Sequence, residues 1–194
     1  MEDFAITDRR RTYDGVRITV DVATVRMPDG TTAERELVRR DDAVAVVAVH
    51  DDGTVTLVRQ YRTPFDRLLL ELPAGVLDVE GEDPAVAARR ELAEECRLDA
   101  AQLTELTTIA TSAGWSTERC TIYLATGLSE VDVPDGFEPH GEEAAMTIER
   151  IPLSGAVEQV RSRQIMDAKT VVGLLLAEGH PALPAARPAS TFTG

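Results

Sequence analysis

The sequence predicts an α+β fold in which strands dominate the first half of the chain and helices are few. Apolar, β-branched segments recur between turn sequences up to residue 77. A strongly helical segment follows at 83–96, and further helical segments occur only near the end. Strands and helices therefore do not alternate as a βαβ repeat would require, and the chain has no internal repeat.

The N-terminal region, residues 1–40, is predicted to form an antiparallel hairpin. Residues 17–26, "RITVDVATVR", alternate apolar and polar side chains, as in a half-buried strand. The turn sequence "PDG" at 28–30 leads into "TTAERELV", the expected partner strand. The arginine cluster Arg9–Arg11 is interpreted as a solvated segment and not as a binding patch.

The main domain is predicted at 41–180 and begins with buried strands. "AVAVVAVH" at 43–50 is continuously apolar, as in a strand covered on both faces. "DDG" then turns the chain into a second strand, "TVTLVRQY". At 68–77, Pro73 and Gly75 interrupt "LLLELPAGVL", which predicts two short strands separated by a tight turn.

The clearest helix is predicted at 83–96, where Asp83 suits the N-cap and Pro84 the first helical position. The remaining predicted elements are strands at 121–128 and 146–153, a polar loop at 134–145, and helices at 154–162 and 166–178. The proline-rich tail, 181–194, is expected to be extended.

Composition limits the classes of function. The 194 residues carry a formal charge of −14, and such a surface repels nucleic acid and anionic membranes. No apolar run approaches the ~18–20 residues that span a bilayer. The charged start, "MEDFAITDRRR", lacks the apolar core of a signal peptide, so a cytoplasmic protein is expected. A phosphate-bearing ligand would need local cations or metal ions.

The two cysteines, Cys96 and Cys120, are too few for a disulfide framework or a tetrahedral zinc site. We expect them to be small buried hydrophobic residues.

The segment "ARRELAEEC" places three carboxylates on one helix face. At about 100° per residue, Glu91, Glu94 and Glu95 occupy an arc of roughly 100°. Ala87 and Ala88 lie on this face one turn earlier. The acids repel one another, so a solvated acidic face is one interpretation. The other is a metal site, because hard divalent cations bind carboxylates and the upstream "LPAG" could offer a backbone carbonyl.

Residues 75–98 resemble the Nudix box, G-x5-E-x7-R-E-U-x-E-E-x-G-U, where U is aliphatic. Gly75 matches the first glycine, and Glu82 matches the first glutamate with six intervening residues instead of five. "RELAEE" matches in full. Arg97 replaces the final glycine, which would end the helix in a left-handed conformation. An arginine in that conformation costs roughly 1–2 kcal/mol, unless the helix ends differently.

The resemblance implies the Nudix fold, a mixed β-sheet between α-helices, and Mg²⁺- or Mn²⁺-dependent hydrolysis of a nucleoside diphosphate derivative. Glu91 and Glu95 would be the principal metal ligands, with Glu94 and the Ala74 carbonyl completing the set. Metal ions would cancel the carboxylate charge and draw in the diphosphate.

The box also implies catalytic and structural roles. Arg90 and Glu94 would be catalytic residues. Arg90 and Glu82 would also orient the helix and the loop that precedes it. Gly75 belongs to the structural part of the motif.

Three further motifs, "VRQYR", "ELPAG" and "DAKT", resemble the ADP-ribose pyrophosphatase branch of the family, over about residues 15–180. This branch implies a homodimer with exchanged N-terminal strands and hydrolysis of ADP-ribose to AMP and ribose 5-phosphate. Another nucleoside diphosphate sugar, or a non-catalytic ligand-sensing module, is the alternative. Arg62 is expected either to contact substrate or to be a strand-end surface arginine.

The branch places a loop glutamate near the substrate as general base. The matching loop here is "HGEEAAMT", where Glu143 is the first candidate and Glu142 the second. Ala113 stands where a proline is common in ADP-ribose hydrolases, and Trp115 where phenylalanine is usual. Trp115 is expected either to stack on a base or sugar or to cap the core.

Overall fold

The structure is a computed structural model that describes residues 3–134 and 136–183, apart from the side chain of Glu143. Most of the predicted tail, from residue 184 onward, lies outside the described residues. No helix in the described part of the chain is both long and apolar enough to cross a membrane.

The N-terminal strands form a three-stranded antiparallel sheet of their own. Its strands lie in the order β1 (Ala5–Asp14), β2 (Thr19–Arg26) and β3 (Thr32–Arg39). The predicted hairpin of β2 and β3 is confirmed. Strand β1, which contains the exposed cluster Arg9–Arg11, was not predicted from the sequence, because it is solvated along almost its whole length and has no apolar pattern. Its pairing with β2 makes it a strand.

The second sheet has seven strands and is mixed. They are β4 (Ala43–Val49), β5 (Thr54–Arg62), β6 (Arg67–Glu71), β7 (Ala74–Val76), β8 (Leu98–Ala110), β9 (Arg119–Glu130) and β10 (Thr147–Pro152). The main order is β10-β5-β4-β9-β8, with β6 paired to β5 and β7 paired to β4. Strands β4 and β9 run parallel, and the other pairings within the described part of this sheet are antiparallel.

Strand β4 is the centre of the core. Residues 44–49 are at most 2% exposed, which confirms the prediction of a strand covered on both faces. Because successive side chains of a strand point to opposite faces, Val47 joins one apolar cluster and Val46 the other. The helices α2 (Leu153–Arg161) and α3 (Ala168–Ala177) cover the first face, and α1 (Pro84–Cys96) covers the second. The predicted sheet between helices is therefore confirmed.

The helix boundaries follow the predicted capping. Asp83 accepts a hydrogen bond from Ala85 N at the start of α1, and Asp167 accepts one from Thr170 N at the start of α3. Both predicted strands around the turn after residue 71 are also present, as β6 and β7.

Both cysteines are buried, as predicted. Cys120 is 1% exposed and Cys96 is 6% exposed, and each belongs to one of the two apolar clusters. Burial raises the pKa of the Cys120 thiol to about 12 and raises that of Cys96 further. Both groups are therefore protonated, apolar core residues at neutral pH.

Strand β8, the edge strand beside β9, was also not predicted from the sequence. Its sequence, "LDAAQLTELTTIA", alternates irregularly, and a register shift interrupts its pairing between Glu105 and Thr107. Only Leu98 and Ala100 of this strand are buried. The strand depends on backbone pairing with β9, and its own side-chain pattern does not reveal it.

We predict that Gly173→Ala destabilises the protein. A Cβ atom at this position in α3 would lie 2.7 Å from Leu72 Cδ1 and 2.9 Å from Val47 Cγ2. Alanine favours the helix more than glycine does, but the overpacking costs more. We therefore expect a net fall of about 1–2 kcal/mol in the free energy of unfolding, measured by urea denaturation. Gly155→Ala in α2 is the control, because its Cβ would meet nothing closer than 3.9 Å. Equal effects in the two variants would contradict this packing.

Candidate active site

The carboxylate face of α1 packs closely against β7. Ala74 N donates a hydrogen bond to Glu95 Oε2 at 3.0 Å. A Cβ atom on Gly75 would lie only 2.0–2.3 Å from the carboxyl atoms of Glu91. The box glycine is therefore required by the close approach of strand and helix, and the acidic face does face "LPAG" as expected.

Arg90 ties this face to the preceding loop. Its Nε and Nη2 donate to the two carboxylate oxygens of Glu82 at 3.2 and 3.0 Å. Its Nη1 donates to Glu91 at 2.6 Å and to Glu94 at 3.2 Å. The hydrogen bonds with Glu82, followed by the nearby negative charges, raise the pKa of Arg90. One guanidinium thus holds the loop glutamate and two of the helix carboxylates together.

Glu91 lies in an environment that disfavours its charge. Burial raises the pKa of its carboxyl to about 7, Glu94 adds to the rise, and the Arg90 guanidinium opposes it. A bound cation would instead favour the ionised carboxylate. This environment suits a residue whose charge is matched by a metal ion.

These side chains line a cleft of about 490 Å³, here called the carboxylate cleft. Among the described residues that line it, carboxylates outnumber arginines by one: Asp41, Asp78, Glu91, Glu94 and Glu95 against Arg17, Arg40, Arg62 and Arg90. One divalent cation would therefore change the balance of charge from negative to positive, which favours a diphosphate.

The donor set fits a divalent cation in its chemistry. Hard cations prefer carboxylate and carbonyl oxygens, and the missing Cβ of Gly75 leaves room for the Glu91 carboxylate. In the described chain no three carboxylate, imidazole or thiol groups are arranged around a common point as a metal site. Oxygens of Glu91 and Glu94 accept hydrogen bonds from Arg90 instead. The ligand roles of Glu91, Glu94, Glu95 and Ala74 stay predictions.

Arg97 ends the helix in the conformation that the missing glycine would adopt. Its φ is 56° and its ψ is 40°, in the left-handed region, and its backbone N–H donates to Ala93 O at 3.0 Å. The first alternative for this position is therefore confirmed, with a strain of roughly 1–2 kcal/mol.

A second cleft, of about 480 Å³, adjoins the first and is here called the lysine cleft. The two clefts share the lining residues Arg40, Arg62, Ala74, Gly75 and Val76. Beyond them, the lining includes the apolar residues Pro64, Phe65, Leu69 and Met166 and the charged residues Glu71, Asp167 and Lys169. The two clefts therefore lie side by side, with these shared residues between them.

Arg62 lies at the junction of the two clefts. It ends β5, but its Nε and Nη2 each donate to a carboxylate oxygen of Glu71 at 2.7 Å. Glu71 is only 1% exposed. Arg62 is therefore an oriented cleft residue and not simply a surface arginine, and its contact with substrate stays a prediction.

The two candidates for the general base are only partly described. Glu142 is exposed and accepts a hydrogen bond from Thr63 Oγ1 at 3.1 Å, beside Arg62 and not on the carboxylate helix. Glu143 begins a short 3₁₀ turn, Glu143–Ala145, but its side chain lies outside the described structure. Their role as base stays a prediction.

Trp115 is 53% exposed and is named in neither apolar cluster of the described residues, which gives little support to the alternative that it caps the core. Its loop, which also carries Ala113, is bound to β3, because Val38 N donates to Trp115 O at 2.7 Å and Thr117 N donates to Val38 O at 3.0 Å. The stacking of Trp115 on a ligand stays a prediction.

Several residues of these clefts were not singled out from the sequence, among them Glu71, Lys169, Arg40 and Phe137. Glu71 and Lys169 lie within the recognised motifs "ELPAG" and "DAKT", which was the available signal. Arg40 and Phe137 also line the carboxylate cleft, and no local pattern marks either of them.

Comparison with known proteins identifies the class. Residues 39–167 match the NUDIX domain. The chain belongs to the Nudix family and is a Nudix hydrolase, which confirms the resemblance found in the sequence. Members of this family generally need divalent metal ions.

Individual relatives place the chain within the family. It is 40% identical to an ADP-ribose pyrophosphatase of Mycobacterium tuberculosis, over 89% of this chain and 82% of the relative. It is 34% identical to an ADP-ribose pyrophosphatase of Bacillus subtilis, over 91% and 94%. A solved structure of an ADP compounds hydrolase matches with a TM-score of 0.78 at 23% identity, covering 92% of this chain and 94% of that one. This last likeness supports the fold.

We predict that Gly75→Ala weakens metal binding more than it weakens the fold. The added Cβ displaces the flexible Glu91 carboxylate, so we expect Mn²⁺ affinity, measured by calorimetry, to fall at least about 10-fold. Gly155→Ala, far from the carboxylates, should bind Mn²⁺ as the wild type does. Unchanged Mn²⁺ affinity in Gly75→Ala would argue against the ligand role of Glu91.

Proposed function

We propose that the chain hydrolyses the diphosphate bond of a nucleoside diphosphate sugar, with ADP-ribose converted to AMP and ribose 5-phosphate. The observation that carries this proposal is the carboxylate face of α1 against β7, beside two clefts that share lining residues. The relatives that are named ADP-ribose pyrophosphatases support the choice of substrate.

In the proposed reaction, one water molecule adds to one phosphorus and the bridging phosphorus–oxygen bond breaks. The other phosphate departs with its sugar, so one water is consumed and two phosphomonoesters form. We propose that Mg²⁺ or Mn²⁺, held by Glu91, Glu95, Glu94 and the Ala74 carbonyl, neutralises the carboxylates and polarises the diphosphate.

The chain's own residues position the reaction. The pairing of Arg90 with Glu82 fixes the loop that precedes α1, and Arg62 offers donors to the diphosphate at the cleft junction. We propose Glu143, or else Glu142, as the base that accepts a proton from the attacking water.

Specificity is expected to depend on the loop that carries Ala113 and Trp115. This loop departs from the usual ADP-ribose pattern, and the exposed indole of Trp115 is available for stacking. Other nucleoside diphosphate sugars are therefore the alternative substrates to compare with ADP-ribose.

We predict that Glu95→Gln abolishes most of the turnover. Loss of the carboxylate charge should lower kcat/KM for ADP-ribose at least about 100-fold with Mg²⁺ present, as measured by chromatography of AMP and ribose 5-phosphate. Glu80→Gln, at an exposed position in the loop before α1, is the matched control and should retain activity.

The outcomes separate the alternatives. Equal turnover by wild type and Glu95→Gln would rule out the proposed metal site. Faster hydrolysis of another sugar in a panel of nucleoside diphosphate sugars would change the assigned substrate. Thermal stabilisation by ADP-ribose without any product would identify a sensing module.

We also propose that the chain acts as a cytoplasmic homodimer joined through its N-terminal sheet. Strand β1 is an edge strand, which leaves backbone groups for pairing. Around it, Phe4, Ile6, Tyr13 and Val16 are each at least 47% exposed. An apolar group of this kind at a sheet edge is typical of a contact between chains.

We predict a solution mass of twice the 21.0 kDa chain. Light scattering after size-exclusion chromatography measures it, and Ile6→Glu should shift the species toward the monomer because it places a charge in the contact. A monomer mass for the wild type across micromolar concentrations would contradict the dimer.

A further inference from the structure

We propose that Glu71 and Lys169 are positioning residues that hold Arg62 in place to bind the substrate diphosphate. This inference rests on the proposed function and deepens it, because it assigns a part to two residues beyond the Nudix box. Three described contacts carry it: Arg62 with Glu71, Lys169 with Glu71, and Thr170 with Leu72.

The contact with Glu71 determines which donors Arg62 can offer. An arginine carries five N–H donors in a planar fork. Glu71 accepts from Nε and from Nη2, which occupies one long edge of the guanidinium. Both N–H groups of Nη1 and one of Nη2 remain, and one from each nitrogen forms the edge that can pair with phosphate. The side chain of Arg62 is 38% exposed and lines both clefts, so a ligand in either cleft can approach the guanidinium.

Lys169 shares the charge of Glu71. Its Nζ lies 2.5 Å from Glu71 Oε2, and its side chain is 15% exposed. Because Glu71 alone would offset the charge of Arg62, a second cation on the same carboxylate leaves the guanidinium more attractive to an anion. Asp167 also pairs with Lys169, at 3.0 Å, but its other oxygen caps α3 at Thr170.

The start of α3 is fixed to the strand that carries Glu71. Leu72 N donates to Thr170 Oγ1 at 2.9 Å, and both groups are buried. Leu72 directly follows Glu71 and leads into the turn before Ala74 and Gly75. The position of Lys169 is thereby set relative to the carboxylate cleft as well as to Arg62.

The test uses binding of ADP in the presence of Mg²⁺, measured by calorimetry, so it needs no turnover. We expect Lys169→Met to weaken ADP binding roughly 10-fold or more, because a misoriented binding group loses most of its effect. Lys169→Arg should restore most of the affinity. Arg161→Met, which removes the exposed pair with Glu178 at 2.8 Å, is the matched control and should bind ADP normally.

A double-variant comparison tests whether Lys169 acts through Arg62. Arg62→Met should weaken ADP binding by itself, and adding Lys169→Met to it should cause little further loss. If Lys169→Met does not fold, Glu71→Gln gives the same comparison. Normal ADP affinity in a folded Lys169→Met or Glu71→Gln protein, with only a lower melting temperature, would overturn the inference and leave the cluster a structural one.

The readout separates this inference from the proposed function. Wild type that binds ADP without hydrolysing ADP-ribose would refute the proposed substrate, while the same binding measurements would still decide whether Lys169 and Glu71 position Arg62. Wild type that hydrolyses ADP-ribose, with full ADP affinity in the folded variants, would refute only the inference.

Discussion

The close approach of β7 to α1 is the constraint on which the site depends. Gly75 removes the side chain that would collide with Glu91, and the backbone of Ala74 then reaches Glu95. Because β7 pairs with the buried central strand β4, the position of this short strand is set by the core. The carboxylates are thus held by the most buried part of the sheet, while an adjoining cleft stays open to solvent.

Much of the fold could be predicted because burial leaves a periodic pattern. Strand β4 and helix α1 were marked by an apolar run and by the capping pair Asp83 and Pro84. Strands β1 and β8 have no such pattern, because most of their side chains face solvent. They are held by backbone pairing with a neighbouring strand. The local sequence pattern does not indicate which strand will pair with such a segment.

Some residues of the site could also be predicted from the local sequence, and others could not. Glu91, Glu94 and Glu95 share one helix, so their spacing alone placed them together. Glu71 and Lys169 are 98 positions apart and meet only because the start of α3 lies against the end of β6. The sequence also could not show that Trp115 is exposed, because the loop that carries it is held by β3, which lies far away in the sequence. Groups of residues that are far apart in the sequence can be recognised only in the tertiary structure.

The hydrogen bonds between Val38 and the Trp115 loop have a consequence for how such an enzyme can change over evolution. They join the N-terminal sheet to the segment expected to select the ligand. A substitution that alters how the N-terminal strands associate would also shift that segment. In the proposed dimer, a change in the contact between subunits would therefore also affect the segment proposed to select the ligand.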